Sequence, residues 1–334
     1  MKKLSITPKA PVHQIPVIDL AHPEGGDQEL KQARALDDAL IDIGFLMVVN
    51  HGVPEETIGR TTAICRQFFD LPLEQKLSIR STAPGSPRGY VPMGLSVLGR
   101  TAGQDTPVDV KEGFGMGPTT VSREKLSESG PYYAENKWPA QLPLLQGALS
   151  DYYLEMEGVS RKLLRLASIA LGVPPSYFLA AFEGHNNTLR VINYPPLTEP
   201  PLPGQLRAGE HTDYGAFTIL LPENASGGLQ VRTRGGQWID VVAPPGAFVI
   251  NVGDLMMRWT NDRWLSNFHR VGMPDESRAA MERRQSIAYF SNPREDVLVE
   301  CIPTCKDPSE APKHLPIVAG EHRLAKIRAA AGVS

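Results

Sequence analysis

A chain of 334 residues with 41% hydrophobic and 21% charged residues has the balance of an ordinary globular protein, which excludes a disordered or fibrous one. Its formal net charge of -3 leaves no excess of Lys and Arg to neutralise phosphates, so nucleic acid is not an expected partner. The apolar stretches, such as Ile43 to Val49, are too short to cross a bilayer as a helix, so no membrane association is expected either.

The start of the chain is basic at Lys2 and Lys3 but lacks the apolar run and small-residue cleavage site of a signal peptide, so a cytoplasmic protein is expected. Ile15 to Leu20 reads as a short strand, and Asp27 to Asp42 as a helix with Leu30, Ala33, Leu36, Leu40 and Ile41 at helical spacing. Gly44 to Asn50 is a continuous apolar run and reads as a buried strand. His51-Gly52-Val53-Pro54 turns the chain into a second helix, which runs through Phe69. Ser81 to Thr120 is rich in Gly and Pro and reads as a long loop with short strands such as Arg88 to Val91. The longest helix is expected from Leu142 to Leu171, stopped by Gly172-Val173-Pro174. Beyond Thr188, short runs rich in Val, Ile, Phe and Thr alternate with Gly and Pro clusters, the pattern of a sandwich or barrel. A last helix is expected over Ala319 to Ala331. The three cysteines, Cys65, Cys301 and Cys305, are odd in number and have no repeated spacing, so neither a disulfide framework nor a structural zinc site is expected.

Chemistry concentrates in the second half. His211-Thr212-Asp213 sets an imidazole and a carboxylate two residues apart, and on an extended strand both would point to one face. A third ligand must come from elsewhere, and the best candidate is His269, 58 positions downstream (269 minus 211). Two imidazoles and one carboxylate on one face of an octahedron leave three positions open, which suits iron(II); a catalytic zinc site keeps one. Arg284-Gln285-Ser286 puts a guanidinium and a hydroxyl on one face of a strand, a fork for a carboxylate. Tyr194, at the end of another strand, could donate its phenol to a bound carboxylate. Each motif alone is weak; their order and spacing carry the reading.

Those motifs belong to a longer pattern. Ile15-Pro16-Val17-Ile18-Asp19-Leu20, Gly44-Phe45, Asn50-His51-Gly52-Val53-Pro54, Phe68-Phe69-Asp70-Leu71-Pro72, Arg88-Gly89-Tyr90 and Asp109-Val110-Lys111-Glu112-Gly113-Phe114 lead it. Asn193-Tyr194-Pro195-Pro196, Gly209 to Gly215, Gly227 to Val231, Asn251-Val252-Gly253-Asp254 and His269-Arg270-Val271 complete it. Over almost its whole length the chain resembles the 2-oxoglutarate and iron(II)-dependent oxygenases of the isopenicillin N synthase-like type. It departs from many plant members of that family, which have a further tyrosine ahead of the Pro-Pro pair, where this chain has Ile192-Asn193-Tyr194.

The resemblance implies an α+β fold with a distorted double-stranded β-helix, or jelly roll, flanked by helices. It divides the chain into a leading region, 1–120, and a jelly-roll region, 121–334, that form one structural unit. It implies Fe(II), 2-oxoglutarate and O2 as cofactor and cosubstrates, with iron on His211, Asp213 and His269. Arg284 and Ser286 would hold the distal carboxylate of 2-oxoglutarate, with Tyr194 near the metal. The expected reaction is hydroxylation of a small organic molecule with release of succinate and CO2. Substrate contacts are expected from Arg88, Tyr90, Lys111, Phe114, Trp259 and Phe290, and from the C-terminal helix. Two alternatives stay open: an oxidase of the isopenicillin N synthase kind that uses no 2-oxoglutarate, and a ligand-binding member of the fold without turnover.

Overall fold

The computed structural model describes residues 14–21, 24–80, 88–120, 134–223, 228–275 and 281–331. Lys2, Lys3, His13, His22, Gly227 and the first part of the loop expected from Ser81 lie outside them.

Two strands and two helices open the chain: β1 (Val17–Asp19), α1 (Gly26–Asp42), β2 (Phe45–Val49) and α2 (Glu55–Asp70). In α1 the residues Ala33, Leu36, Ala39 and Leu40 are buried at three- and four-residue intervals, the stripe a helix needs to lie on a core. The short α3 (Leu73–Leu77), β3 (Gly89–Val91), a 3-10 turn (Leu98–Ala102) and β4 (Glu112–Met116) occupy the stretch read as a long loop. The longest helix, α4 (Leu144–Ala170), is followed by α5 (Tyr177–Phe182).

Then come β5 (Thr188–Tyr194), β6 (Ala208–His211), β7 (Phe217–Pro222), β8 (Leu229–Arg232), β9 (Trp238–Asp240) and β10 (Phe248–Val252). The chain continues through α6 (Asp254–Trp259), β11 (His269–Val271), β12 (Arg284–Ser291), the short strands β13 (Leu298–Val299) and β14 (Ile317–Val318), and α7 (Ala319–Ala331). The C-terminal helix has the bounds expected from its spacing.

The strands form an eight-stranded sheet, in the order β1-β2-β10-β7-β12-β5-β4-β3, and a four-stranded sheet, β6-β11-β8-β9. Strands far apart in sequence are neighbours in each, as in a jelly roll. Strands β1 to β4 are built into the large sheet together with β5, β7, β10 and β12, so the leading region and the rest share one sheet.

Successive strand residues face opposite ways, and this alternation sorts the core in two. Leu189, Val191, Ile219, Ile250, Ile287 and Tyr289 face the helices α1, α2 and α4. Tyr194, Val249, Leu229, Val231 and Val271 face the space between the sheets, with Ile192 and Leu220 packed on them.

That sorting corrects three expected substrate contacts. Tyr90, Phe114 and Trp259 are 2%, 2% and 3% exposed and belong to the helix-side core. Tyr90 and Phe114 pair across β3 and β4 and both pack edge-on against Phe68. Trp259 packs edge-on against Phe178. Their strand or helix position turns them from the space between the sheets, and large aromatic rings bury most area there.

All three cysteines are free thiols. Among the described residues, no helix is long and apolar enough to cross a membrane.

Candidate metal centre and anion-binding cleft

Three side chains meet at one edge of the smaller sheet. His211 closes β6 and His269 opens β11, and the two are direct cross-strand partners, their rings 4.3 Å apart. Asp213 lies two residues past His211, beyond the end of the strand, so the turn after β6 aims its carboxylate rather than the strand pleat assumed from the sequence. The ligand atoms of the three lie within 4.8 Å of one another, close enough to share one ion.

Each imidazole is held from behind. His211 Nδ1 is 2.7 Å from the carbonyl of Gly209, and His269 Nδ1 is 3.1 Å from that of Asn267. A carbonyl only accepts, so each Nδ1 carries the proton and each Nε2 keeps its lone pair for a metal. The Nε2 atoms stand 3.9 Å and 3.7 Å from the Asp213 carboxylate.

Asp213 Oδ2 accepts hydrogen bonds from Thr218 Oγ1 (2.6 Å) and Asn251 Nδ2 (2.7 Å), which orient the carboxylate. Burial raises the Asp213 carboxyl, but the charges of His269 and His211 and these two donors outweigh it and hold it below the usual carboxylate range. Burial, with the neighbouring His269, pushes His211 down to about 3, so its imidazole is neutral and ready to bind a metal at physiological pH.

Glycine lets the turn sit this close. A Cβ at Gly253 would collide with the backbone of Gly215, and one at Gly215 with Asn292 and Ser291. The Asp254 amide then donates to the Asp213 carbonyl at 2.8 Å. Behind His211, Asp109 accepts from the Gly209 amide (2.9 Å), Ser96 Oγ (3.0 Å) and the Leu98 amide (3.2 Å).

The proposed carboxylate fork lies along β12. Arg284 is paired with Tyr194 and Ser286 with Ile192 in the β12–β5 register, so these four share the inner face. Arg284 is 1% exposed, and its guanidinium carbon stands 5.0 Å from the centre of the Tyr194 ring. Its Nε donates to the Glu223 carbonyl at 3.1 Å, and its Nη1 has no acceptor among the described residues. A buried cationic donor without an acceptor is costly, and a bound carboxylate would satisfy it.

Of the remaining expected substrate contacts, Phe290 is half-buried on that same inner face, opposite Thr218 of the Asp213 network. Lys111 is paired with Asp109 at 3.0 Å, and its charge is felt at His211. Arg88 is 1% exposed and braces the chain through the Ala134 carbonyl (3.3 Å) and Asn186 Oδ1 (3.5 Å).

Sequence reasoning gave no role to Thr218, Asn251, Asp109 or Asp254. Asn251 and Asp254 stood in a motif that flagged the segment without saying what it does. Thr218 sits in an apolar strand with no signal beyond its hydroxyl.

Asp254 also fastens the C-terminal helix. Its carboxylate meets Lys326 Nζ (2.8 Å) and His322 Nε2 (3.4 Å) of α7 and accepts from Ser266 Oγ (2.6 Å). Burial alone raises this carboxyl; the nearby His322 imidazole, the Lys326 ammonium and the Ser266 hydroxyl outweigh it and hold it well below its ordinary 3.8. A depressed carboxyl stabilises the fold above its unfolded value and loses that contribution as pH falls through the folded one. In urea unfolding of the metal-free chain, wild type is therefore expected to lose stability more steeply than Asp254→Asn below about pH 5, the two converging in acid. Parallel curves would mean that the ion pair contributes nothing.

A family model for the N-terminal region of the non-haem dioxygenase in morphine synthesis matches residues 15–141, and one for the 2OG-Fe(II) oxygenase superfamily matches 186–293. The chain is 34% identical to validamycin A dioxygenase of Streptomyces hygroscopicus subsp. limoneus, over 83% of this chain and 76% of that protein. It is 29% identical to homoarginine-6-hydroxylase 2-ODD-233 of Oryza sativa subsp. japonica, over 94% and 96%. Among solved structures, Neurospora crassa T7H in complex with alpha-KG and thymine superposes with a TM-score of 0.81 at 29% identity, covering 95% of this chain and 96% of that one. Kinship at that level over most of both chains is kinship of family, and this protein belongs to the 2-oxoglutarate and iron(II)-dependent oxygenases, as a dioxygenase that uses 2-oxoglutarate and O2 to hydroxylate a small molecule.

Proposed function

We propose that His211, Asp213 and His269 hold the iron(II), that Arg284 and Ser286 take the distal carboxylate of 2-oxoglutarate with Tyr194 beside it, and that Phe290 forms part of the substrate wall. The observation that carries this reading is the triad itself: three ligand atoms within 4.8 Å, with both imidazole Nε2 atoms left free by the carbonyls behind them. Residues 1–120 and 121–334 act as one unit in this reading, which the shared eight-stranded sheet supports.

When bound, iron(II) and 2-oxoglutarate supply the oxidising power, with one oxygen atom of O2 leaving in succinate and the other going to the substrate. The protein's part is placement. Thr218 and Asn251 hold one oxygen of Asp213, which leaves the other for the metal. Arg284 and Tyr194 fix one end of the cosubstrate, at the far end of β12 from Phe290. The relatives' names point to unlike substrates, validamycin A and homoarginine among them, so the cleft has to be read from its own residues.

The test is anaerobic loading with iron(II) followed by titration with 2-oxoglutarate, watching the visible charge-transfer band of a chelated keto acid. Wild type should develop the band, and Arg284→Ala should need about 10- to 150-fold more 2-oxoglutarate, the value of one hydrogen bond to a charged group. An unchanged titration in Arg284→Ala would remove Arg284 from the cosubstrate site. Bound iron without a band in wild type would favour the oxidase alternative.

A further inference from the structure

Lys111 occupies a place that its pairing with Asp109 does not explain. It stands one position before β4, and Glu112 pairs with Asn193 in the β4–β5 register, which sets Lys111 beside Tyr194. On the other side of Tyr194 lies Arg284 of β12. Glu112 reaches Lys76 and Tyr90, and Phe114 packs in the helix-side core. Alternation therefore turns Lys111 the other way, into the space between the sheets.

Its contacts agree with that direction. The ammonium meets Asp109 Oδ2 at 3.0 Å, and Asp109 Oδ1 accepts from the amide of Gly209 in β6 at 2.9 Å. The carbonyl of Gly209 in turn accepts from His211 Nδ1 at 2.7 Å. One buried carboxylate thus joins the larger sheet to the strand that presents a metal ligand, and it steadies the ammonium beside that strand.

Asp109 has neutral donors of its own. Ser96 Oγ (3.0 Å) and the Leu98 amide (3.2 Å) donate to the oxygen that Lys111 meets, and the Gly209 amide donates to the other. An ammonium carries three N–H donors, and Asp109 is the acceptor that Lys111 meets among the described residues. Donors are left over for the cleft. Lys111 and Arg284 accordingly flank Tyr194, Arg284 from β12 and Lys111 from the side of β6 and His211. A 2-oxo dicarboxylic acid has two anionic groups, one beside its keto carbon and one at its far end.

We propose that Lys111 is a second cosubstrate residue: its ammonium, steadied by Asp109, meets the carboxylate beside the keto group of 2-oxoglutarate, while Arg284 takes the far one. This rests on the assignments of the metal centre and of the Arg284 fork made above. An ammonium beside the iron site repels a bare metal ion and attracts an anion that joins it. Lys111 therefore favours iron together with a keto acid over iron alone, whatever the acid carries at its far end.

The test uses the full chain without O2 and two probes, 2-oxoglutarate and 2-oxovalerate, which has the same carbon chain and keto acid group but no far carboxylate. Iron(II) affinity is read by equilibrium dialysis, and each acid is then titrated against the charge-transfer band of the iron-loaded chain. Lys111→Met should bind iron(II) alone at least as tightly as wild type, yet need at least about 10-fold more of either acid, the loss of one hydrogen bond to a charged group. Arg284→Ala should weaken 2-oxoglutarate and leave 2-oxovalerate unchanged. Lys111→Arg, which keeps the charge, should recover part of the loss, and Lys111→Gln serves if Lys111→Met does not fold. If 2-oxovalerate gives no band with wild type, the double variant Lys111→Met/Arg284→Ala decides with 2-oxoglutarate, because losses at residues that hold different ends should add.

The proposal is overturned if Lys111→Met titrates as wild type does, or if the double variant is no weaker than the poorer single one. It is also overturned if Lys111→Met weakens 2-oxoglutarate alone, because the ammonium would then serve the far carboxylate. A tenfold loss of iron(II) affinity without either acid would overturn it too, since Lys111 would then act on His211 through Asp109. If Arg284→Ala weakens both acids alike, or neither, the fork assignment fails and the Lys111 result stands by itself.

Discussion

Asp213→Ala is expected to lose iron(II) binding and turnover together while the chain stays folded. Two imidazoles remain, but the carboxylate stands within 3.9 Å of both Nε2 atoms and is the only anion of the triad. Loss of an outer partner of a metal ligand commonly costs about 10- to 100-fold in metal affinity or activity, so loss of the ligand should exceed that range. Thr218→Val and Asn251→Ala, which remove the two donors to Asp213 Oδ2, should fall inside it. Equilibrium dialysis of iron(II) against the three variants reads this order directly. Iron bound by Asp213→Ala within tenfold of wild type would dismantle the triad, because the metal would then have to sit elsewhere.

The largest effect on stability is expected from Glu112→Leu. Glu112 is 6% exposed and Lys76 7%, and the carboxylate accepts from Lys76 Nζ (2.9 Å), the Tyr90 hydroxyl (2.6 Å) and Asn193 Nδ2 (2.8 Å). This group ties α3 to β3, β4 and β5 beneath the inner face that carries the cleft. Removing the carboxylate leaves an ammonium buried with, among the described residues, only the Phe69 carbonyl (3.1 Å) as acceptor, and breaking a buried pair in this way costs about 3–5 kcal/mol. The double variant Lys76→Leu/Glu112→Leu should recover much of that loss, because no uncompensated charge remains. Urea unfolding of the two single variants and the double variant measures the coupling. Additive losses would show that the pair is solvated enough to be replaceable one side at a time.

The strand and helix pattern of the leading region was legible because each element satisfies a local rule. Gly44 to Asn50 is apolar at nearly every position because β2 lies between β1 and β10 with packing on both faces. Residues Ala319 to Ala331 read as a helix from their spacing, but only the fold shows that Lys326 and His322 reach Asp254. The aromatic residues misled in the opposite direction. Tyr90, Phe114 and Trp259 stand in stretches rich in function, yet which face a ring takes depends on register and on the elements packed behind it, as with Phe68 behind Tyr90 and Phe114.

The amino-acid sequence by itself determined the chemistry available: two imidazoles, a carboxylate and an Arg-Xaa-Ser fork in an order that few folds would bring together. What only the tertiary structure decided is the partnership of those groups. His211 and His269 become neighbours because β6 and β11 pair, Asp213 is aimed by a turn that two glycines allow to close, and Arg284 comes to lie beside Tyr194 through the register of β12 with β5. The physical reason is range. Spacing along a chain reports which way a residue faces within its own element, whereas a shared site depends on contacts between elements, which follow from how the sheets pack.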